Sequence, residues 1–314
     1  MTAASLAEWS NLAVYSSMLV LIAALIAFAV SFAARGQRVM SPELVSVGAG
    51  APAPGAAPEQ SAEPLAPGRR AGNIAMALTW LATGLLLVGL VLRGVWAGRV
   101  PWGNMYEFSL AWTLGILAVF LVVSTRRDIR WLGLPVVFLA LLSLGLAVTV
   151  LYTEAAQLVP ALKSWWLVIH VASAIICGGA FTVAAAISVL YLWRDRAERK
   201  GKVTGIVASL PDASRLDTLS YRILAFAFPL WTFAVISGAI WAENAWGRYW
   251  GWDPKETWAF ITWVIYAGYL HARSTAGWRG RRAAYISLIG FVSFLINYFG
   301  VNIFVNSLHS YAGL

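Results

Sequence analysis

Long unbroken apolar runs are the feature that most constrains this sequence. Eight of them lie near residues 10–34, 72–93, 106–124, 131–152, 165–193, 221–242, 254–273 and 283–306. Crossing the hydrocarbon core of a bilayer, which is about 30 Å thick, takes about 20 apolar residues in a helix. No water reaches that core, so each crossing segment must satisfy its own backbone hydrogen bonds, as an α-helix does. The sequence therefore predicts an all-α fold, a polytopic membrane bundle of about eight transmembrane helices.

Composition agrees with this fold class. Of the 314 residues, 60% are hydrophobic and only 12% are charged, a balance that a soluble domain does not need. Outer-membrane barrels have short alternating strands, which the long runs do not resemble. The first run is too long for a signal peptide and lacks a small-residue cleavage site, so we interpret it as a retained helix.

The basic residues predict the orientation of the bundle. An even number of crossings places both termini on one side. The loops of the opposite side carry 18 of the 23 lysines and arginines, within 35–71, 125–130, 194–222 and 272–282. Because basic loops stay in the cytoplasm, the N and C termini are predicted to lie outside. The net charge of +9 is thus interpreted as topology, and no nucleic-acid partner is expected.

Three regions are predicted along the chain. Residues 1–34 are the first transmembrane helix. Residues 35–71 include an Ala/Pro/Gly tract from Ser41 to Gly68, which cannot bury a core and is interpreted as a disordered cytoplasmic linker. Residues 72–314 are a seven-helix membrane domain, with an outward tryptophan segment at 241–256.

Six of the 17 tryptophans occur between residues 241 and 263. An interfacial aromatic belt is the common explanation, but a belt places one or two aromatics at each helix end. Here Trp246, Trp250 and Trp252 lie within the connecting segment, among glycines and acidic residues. Indoles make a wide apolar wall with an N–H at its edge. The pattern favours a platform for a flat amphipathic ligand, with the belt as the alternative.

A strong helix start follows this segment. Asp253, Pro254, Lys255 and Glu256 fit the N-cap, N1, N2 and N3 positions, with Asp253 and Glu256 forming a capping box. The pattern predicts that the platform is followed at once by a helix. His271 comes 18 residues after Asp253, which at 1.5 Å per residue places it roughly 26 Å deeper, near the cytoplasmic end.

The three histidines occupy two levels of the predicted bundle. His170 and His309 lie near the outer surface, and His271 lies on the inner half. Ionisable residues in membrane spans are functional candidates, although a lone histidine is often only a packed polar group. Two neutral imidazoles can ligate haem iron from opposite sides, which makes His170 and His309 candidate axial ligands. Zinc competes less well, since it needs further ligands close in sequence.

Cysteine usage excludes several classes of protein. Cys177 is the only cysteine, so the chain has neither a disulfide framework nor a C-x-x-C-H motif that would hold haem covalently. We interpret Cys177 as a small buried apolar residue. No side chain is predicted to be catalytic as a nucleophile or an acid–base group.

The run WAENAWGRYWGWDPKETWAFITWVIYAGYLHAR closely resembles the tryptophan-rich "WWD" signature of haem-handling proteins. Further segments narrow the resemblance to the CcsA/ResC type, the multi-span subunit of the two-component System II cytochrome c synthase. Those segments are NMYEFS (104–109), PALKSWWLVIHV (160–171), YRILAFAFPLWT (221–232) and LHSYA (308–312). Six-span haem exporters and longer lyase subunits share the signature, but eight spans in 314 residues fit neither.

The resemblance implies a role for each matching residue. His170 and His309 hold the iron of haem b at an outer site, and His271 holds haem inside the membrane. The remaining members of the implied site are Trp241, Trp246, Trp250, Trp252, Asp253 and Trp258. This chain offers no second inner histidine, so the ligand opposite His271 is expected from another chain.

The implied activity is cytochrome c haem lyase (synthase) activity at the outer face of a bacterial cytoplasmic membrane. The implied partners are a ResB-like membrane protein, apocytochrome c with its C-x-x-C-H thiols, and thioredoxin-like proteins that keep those thiols reduced. Two alternatives remain open: a haem transporter without ligation chemistry, and a bis-His b-type cytochrome that moves electrons or binds quinone.

The distribution of basic residues yields a direct test of orientation. Reporter fusions after residues 200 and 314 are expected in opposite compartments, the first in the cytoplasm and the second outside, because an odd number of crossings separates them. Reporter activity in the same compartment for both fusions would contradict the eight-span topology and the pairing of His170 with His309.

Overall fold

The helices alone define the architecture. The structure is a computed structural model that describes residues 3–40, 67–155 and 162–309, and within these ranges it contains no strand. Its helices are α1 (Ala3–Met40), α2 (Pro67–Ala97), α3 (Met105–Arg126), α4 (Gly133–Thr149), α5 (Trp165–Arg199), α6 (Gly205–Ala208), α7 (Ala213–Trp246), α8 (Pro254–Thr275), α9 (Arg281–Leu295) and α10 (Val301–Phe304). A π-helical segment, Ile296–Gly300, joins α9 to α10. The all-α prediction is confirmed.

Each predicted apolar run coincides with a helix. Seven helical segments are long and apolar enough to cross a membrane, namely α1 to α5, α7 and the rod Arg281–Phe304. The predicted eighth run forms α8, which has the length but is less apolar, since Lys255 and Glu256 begin it and Arg273 lies near its end.

Helix α8 nevertheless extends alongside α7 in the antiparallel direction. The indole N–H of Trp231, near the middle of α7, donates to the carbonyl of Ala259 in the second turn of α8 at 3.3 Å. At one end, Arg273 of α8 forms an ion pair with Asp217 in the first turns of α7 at 2.7 Å. At the other end, α8 begins soon after α7 stops at Trp246. Helix α8, with 22 residues, therefore runs antiparallel beside the longer α7, which has 34.

These contacts define two ends of the bundle. We call the end where α7 stops and α8 begins (residues 246–254) the tryptophan end. The opposite end, where α8 stops and α9 begins (275–281), is called the basic end. Arg281 lies 3.9 Å from Asp195 there, so the loop after α5 belongs to the basic end as well.

Helix α5 occupies the centre of the bundle and packs against α3, α7 and α9. Small side chains make this position possible, because they let helix backbones approach closely in a membrane. A Cβ on Gly179 would lie 2.5 Å from the backbone carbon of Gly115 in α3. A Cβ on Gly178 would lie 2.7 Å from the Phe294 ring. The glycines of α5 therefore set the spacing of the central helices.

Helices α1 and α2 form an antiparallel pair that packs on α3 and α4. Hydroxyls of α1 donate to carbonyls of α2, from Ser10 to Gly89 and from Ser17 to Ala82, both at 2.8 Å. Helix α1 extends to Met40 and α2 begins at Pro67. The rest of the predicted linker, 41–66, lies outside the described residues, so its disorder stays a prediction.

The contact between α3 and α5 can be tested by adding one methyl group. Gly179→Ala is expected to destabilise the protein by about 1–3 kcal/mol, because the backbone of α3 must move to accommodate the Cβ. Gly84→Ala in α2 is the control, since its Cβ would meet no atom within 4 Å. Thermal unfolding in detergent measures both variants. Equal midpoints for the two would show that the helices are not held this closely.

Candidate functional site

A cavity opens at the tryptophan end of the bundle. It contains about 1210 Å³ of empty space, part of it open to solvent, and its walls come from α3, α5, α7, α8, the π-helical segment and the residues after α10. Its aromatic and imidazole lining consists mainly of Trp102, Trp231, Trp241, Trp246, Trp250, Phe294, Tyr298, His170 and His309. Such a wide, apolar wall with a few polar groups is typical of a ligand site.

His170 lies in the second turn of α5 and faces α7. Its Nδ1 is 2.7 Å from the carbonyl oxygen of Ala234. A carbonyl can only accept, so Nδ1 carries the proton and Nε2 carries the lone pair of the neutral ring. Gly238 makes room for the ring, since a Cβ there would lie 2.7 Å from it. The imidazole also stacks on Trp241, with centroids 6.1 Å apart and an interplanar angle of 12°.

His309 is oriented by Asp253. Its Nδ1 lies 2.9 Å from Oδ2 of Asp253, and the amide of Leu308 donates to Oδ1 of the same carboxylate at 2.8 Å. Burial lowers the pKa of His309, an effect that Asp253 opposes only in part. The ring is therefore neutral at pH 7, with its proton on Nδ1 and its lone pair on Nε2.

Asp253 has a second role as the N-cap of α8. The amide of Lys255 donates to its Oδ2 at 3.2 Å, and the Glu256 carboxylate accepts the Asp253 amide at 3.0 Å. The predicted capping box is thus confirmed. Burial would raise the pKa of Asp253, but the hydrogen bonds from His309, Leu308 and Lys255 outweigh it and lower the pKa to about 2. The residue is therefore an anion at any physiological pH.

Trp241 joins the two histidines. Its indole is buried, with the His170 ring on one side and the His309 ring 5.5 Å away at 62°. Trp246 lies 4.8 Å from Trp241 and 4.9 Å from His309. Residues 139 positions apart in the sequence, His170 and His309, thus meet around one indole, and Trp250 completes the wall.

The other predicted site residues lie outside this cavity. The Trp252 side chain is 65% exposed, and its ring packs edge-on against Trp250 and Phe260. Trp258 is partly buried in α8 but does not line the cavity. His271 is exposed near the basic end, and the described residues contain no cluster of three or more metal-binding side chains. The inner haem site at His271 stays a prediction.

The structure adds lining residues that the sequence reasoning missed. Asn297 and Asn302 come from the π-helical segment and α10, and Trp102 comes from the loop before α3. π-Helical turns are frequent at functional sites because they redirect side chains. The asparagines within an apolar run were the available signal, since polar residues are rare at that depth. No sequence pattern predicts the π-helical segment itself.

A buried ion network holds the loop that carries Trp102. Glu107, which is fully buried, accepts from Arg93 Nε at 3.0 Å and from Arg99 Nη1 at 2.6 Å. It also accepts the amide of Gly103 at 2.8 Å. These charge-assisted bonds are stronger than neutral ones. They hold the loop that places Trp102 and Gly103 at the cavity, although Glu107 itself does not line it.

The sequence profile of the family described as "Cytochrome C assembly protein" matches residues 102–309, a range that begins with one cavity residue and ends with another. The chain belongs to this family. Among its relatives is the cytochrome c biogenesis protein CcsA of Guillardia theta, 37% identical over 75% of this chain and 84% of the relative. CcsA of Prochlorococcus marinus is 39% identical over 72% of this chain and 80% of the relative.

The fold also matches a solved structure. The cytochrome c haem lyase CcmF superposes with a TM-score of 0.64 over 95% of this chain and 47% of that protein, at 16% sequence identity. At this identity the match concerns the fold alone. Together with the seven apolar helices, the family membership establishes a multi-pass membrane protein of cytochrome c biogenesis, of the CcsA type.

The double role of Asp253 can be separated by two substitutions in this family member. Asp253→Asn keeps one cap acceptor, since asparagine is a good N-cap, but one oxygen cannot serve the three donors that the carboxylate holds. We expect the unfolding midpoint to change little while amide exchange at 305–309 accelerates roughly tenfold or more. Asp253→Ala should accelerate exchange similarly and also lose about 1 kcal/mol of helix stability.

Asp212→Asn is the matched control, because Asp212 caps α7 by accepting the Arg215 amide and lies far along the chain from the tail. Its exchange at 305–309 should equal that of the unmodified protein. Unchanged exchange in Asp253→Asn would show that the carboxylate does not hold the tail.

Proposed function

We propose that this chain is the haem-handling subunit of a cytochrome c synthase, which binds haem b as its substrate between His170 and His309. One observation carries the proposal. Two neutral imidazoles that are 139 positions apart in the sequence line one apolar cavity. The Nδ1–H of each ring donates to an oxygen that can only accept a hydrogen bond. This second hydrogen bond orients a histidine for ligation through Nε2.

The shape and chemistry of the cavity suit haem. The ring is flat and mostly apolar, and Trp241, Trp246 and Trp250 provide an aromatic wall beside the imidazoles. Two histidine ligands give six-coordinate, low-spin iron. The cavity is open to solvent on one side, so a flat macrocycle can lie against the aromatic wall with one edge exposed.

The role proposed for the protein in thioether formation is positioning. Each substrate thiol adds across one vinyl double bond of haem: sulfur bonds to one carbon and hydrogen to the other, so no oxidant is consumed. Holding the two reactants together contributes through proximity and orientation. Cys177 is fully buried in α5 and cannot reach either reactant. The thiols therefore come from the C-x-x-C-H segment of an apocytochrome c, kept reduced by thioredoxin-like proteins.

We place the tryptophan end outside a bacterial cytoplasmic membrane and the basic end in the cytoplasm, following the charge distribution. His271 then lies at the cytoplasmic level, exposed on the outside of the bundle. A ligand from a ResB-like partner would complete a haem site there. The position of His271 on a free helix face supports this arrangement, because a neighbouring chain can approach it.

Substituting the histidines tests the proposal. His170→Ala and His309→Ala each remove one axial ligand, so purified protein titrated with haem should change from a low-spin to a high-spin spectrum and bind more weakly. Free imidazole should restore the low-spin spectrum, since it fits the space that the side chain leaves. Holocytochrome c formation in cells should fall and recover in parallel.

His271→Ala is the control in the titration, because His271 does not line the cavity. Its spectrum should match that of the unmodified protein. Low-spin haem retained by both single variants would show that other residues ligate the iron. If the unmodified protein binds haem and the two histidine variants still support normal cytochrome c maturation, an electron-transfer protein would be favoured.

A further inference from the structure

The cavity contains one charged group that the site described above does not use. Lys255, in the first turn of α8, lines the cavity and is partly buried. The other charged side chain of the lining is Glu256. Glu256 forms an ion pair with a neighbouring side chain, whereas the Lys255 ammonium does not among the described contacts.

The acidic groups near Lys255 are hydrogen bonded to other donors, and Asp253 attracts the Lys255 ammonium without an ion pair between them among the described contacts. The Glu256 carboxylate accepts from Arg248 Nη1 at 3.1 Å and from the Gly251 amide at 2.8 Å. The Asp253 carboxylate accepts from His309, from the Leu308 amide and from the backbone amide of Lys255. Only the backbone of Lys255 takes part in these contacts.

The ammonium of Lys255 consequently has no ion-pair partner in the part of the chain that the structure describes. A partly buried cation beside an apolar wall is costly unless an anion or a hydrogen-bond acceptor compensates it. It also lies at the end of α8 where the helix dipole favours negative charge. The cavity is therefore complementary to a ligand that is apolar over most of its surface and carries an acidic group.

We propose that Lys255 binds a carboxylate of the ligand in this cavity and so decides which edge of that ligand faces inward. This inference rests on the proposed function, which makes the ligand haem and the carboxylate one of its two propionates. Haem carries its vinyl groups on the side of the macrocycle away from the propionates. Fixing a propionate at Lys255 turns the vinyl side away from the start of α8, where thiols of an extended chain can reach it.

The role differs from those of His170 and His309. The histidines hold the iron, and the iron lies at the centre of a ring that can still rotate about the axis joining them. A charge at the edge of the cavity limits that freedom, because only orientations that bring one of the two propionates to the ammonium allow the two charges to pair. Lys255 is thus a specificity residue for ring orientation and not an iron ligand.

The interaction between Lys255 and a propionate can be tested by comparing two proteins with two ligands in all four combinations. Purified protein is titrated with haem and with haem dimethyl ester, in which both carboxylates are neutral. The unmodified protein should bind haem about 10- to 100-fold more tightly than the ester, the value of one charge-assisted hydrogen bond. Lys255→Met keeps an unbranched side chain that is one atom shorter but removes the charge, so it should bind both ligands equally.

Two further variants serve as controls. Lys255→Arg keeps the charge and should retain the preference for haem. Lys163→Met removes a cation that is exposed before α5 and does not line the cavity, so its preference should equal that of the unmodified protein. A preference that falls equally in Lys163→Met would show a general effect of net charge and would overturn the assignment.

The outcomes separate this inference from the proposed function. If the unmodified protein binds neither ligand, the proposed function fails. If it binds haem and ester equally, or if Lys255→Met keeps the full preference, haem binding stands and the role of Lys255 is refuted. Binding of the ester by Lys255→Met with unchanged affinity shows that the variant is folded. Should it not fold, the ester comparison in the unmodified and Lys255→Arg proteins decides the question.

Discussion

The carboxylate of Asp253 is the interaction on which the site depends. It caps α8, holds the Leu308 amide and orients the His309 ring, so it ties the start of one helix to residues 55 and 56 positions further along the chain. Each of these contacts adds a donor to one anion, which explains why its pKa stays low despite burial. Without this carboxylate, no described hydrogen bond would fix the His309 ring relative to the start of α8. The same residue therefore both caps the helix and orients the candidate ligand.

The wall of the cavity formed by α5 and α7 depends on glycines, whose lack of a side chain lets neighbouring groups approach. Gly179 lets α5 meet α3 backbone to backbone, and Gly238 leaves room for the His170 ring against α7. Small residues bring membrane helices close because lipid supplies no hydrophobic force between them and packing must do so. The central helix is thereby held where its second turn presents His170 to the cavity. The same physics that stabilises the bundle positions its candidate ligand.

The tryptophan segment divides between two surfaces. Trp241, Trp246 and Trp250 line the cavity, while Trp252 lies outside with a backbone φ of 58°, which is rare for a residue other than glycine. Strained backbone of this kind persists where the surroundings demand it. Here it lies between Trp250, which lines the cavity, and the helix start at Pro254, and the Trp252 side chain remains outside the cavity. A segment that looks uniform in the sequence thus serves both as a pocket wall and as an outer aromatic edge.

Local and periodic features were predictable from the sequence. The apolar runs determined the helices, because backbone groups in lipid must bond within their own segment, and Asp253 to Glu256 determined the start of α8 through contacts at most three residues apart. The predicted outer level of His170 and His309 and the clustering of the tryptophans made these residues candidates, and the resemblance to a known signature gave them roles. The tertiary structure alone brings both histidines together at Trp241, places Trp252 and His271 outside the cavity, and leaves the Lys255 ammonium without an ion pair among the described residues. Those outcomes depend on close packing between segments that lie far apart in the chain. The packing uses glycine contacts and a π-helical turn, and neither has a repeating pattern in the sequence by which it could be predicted.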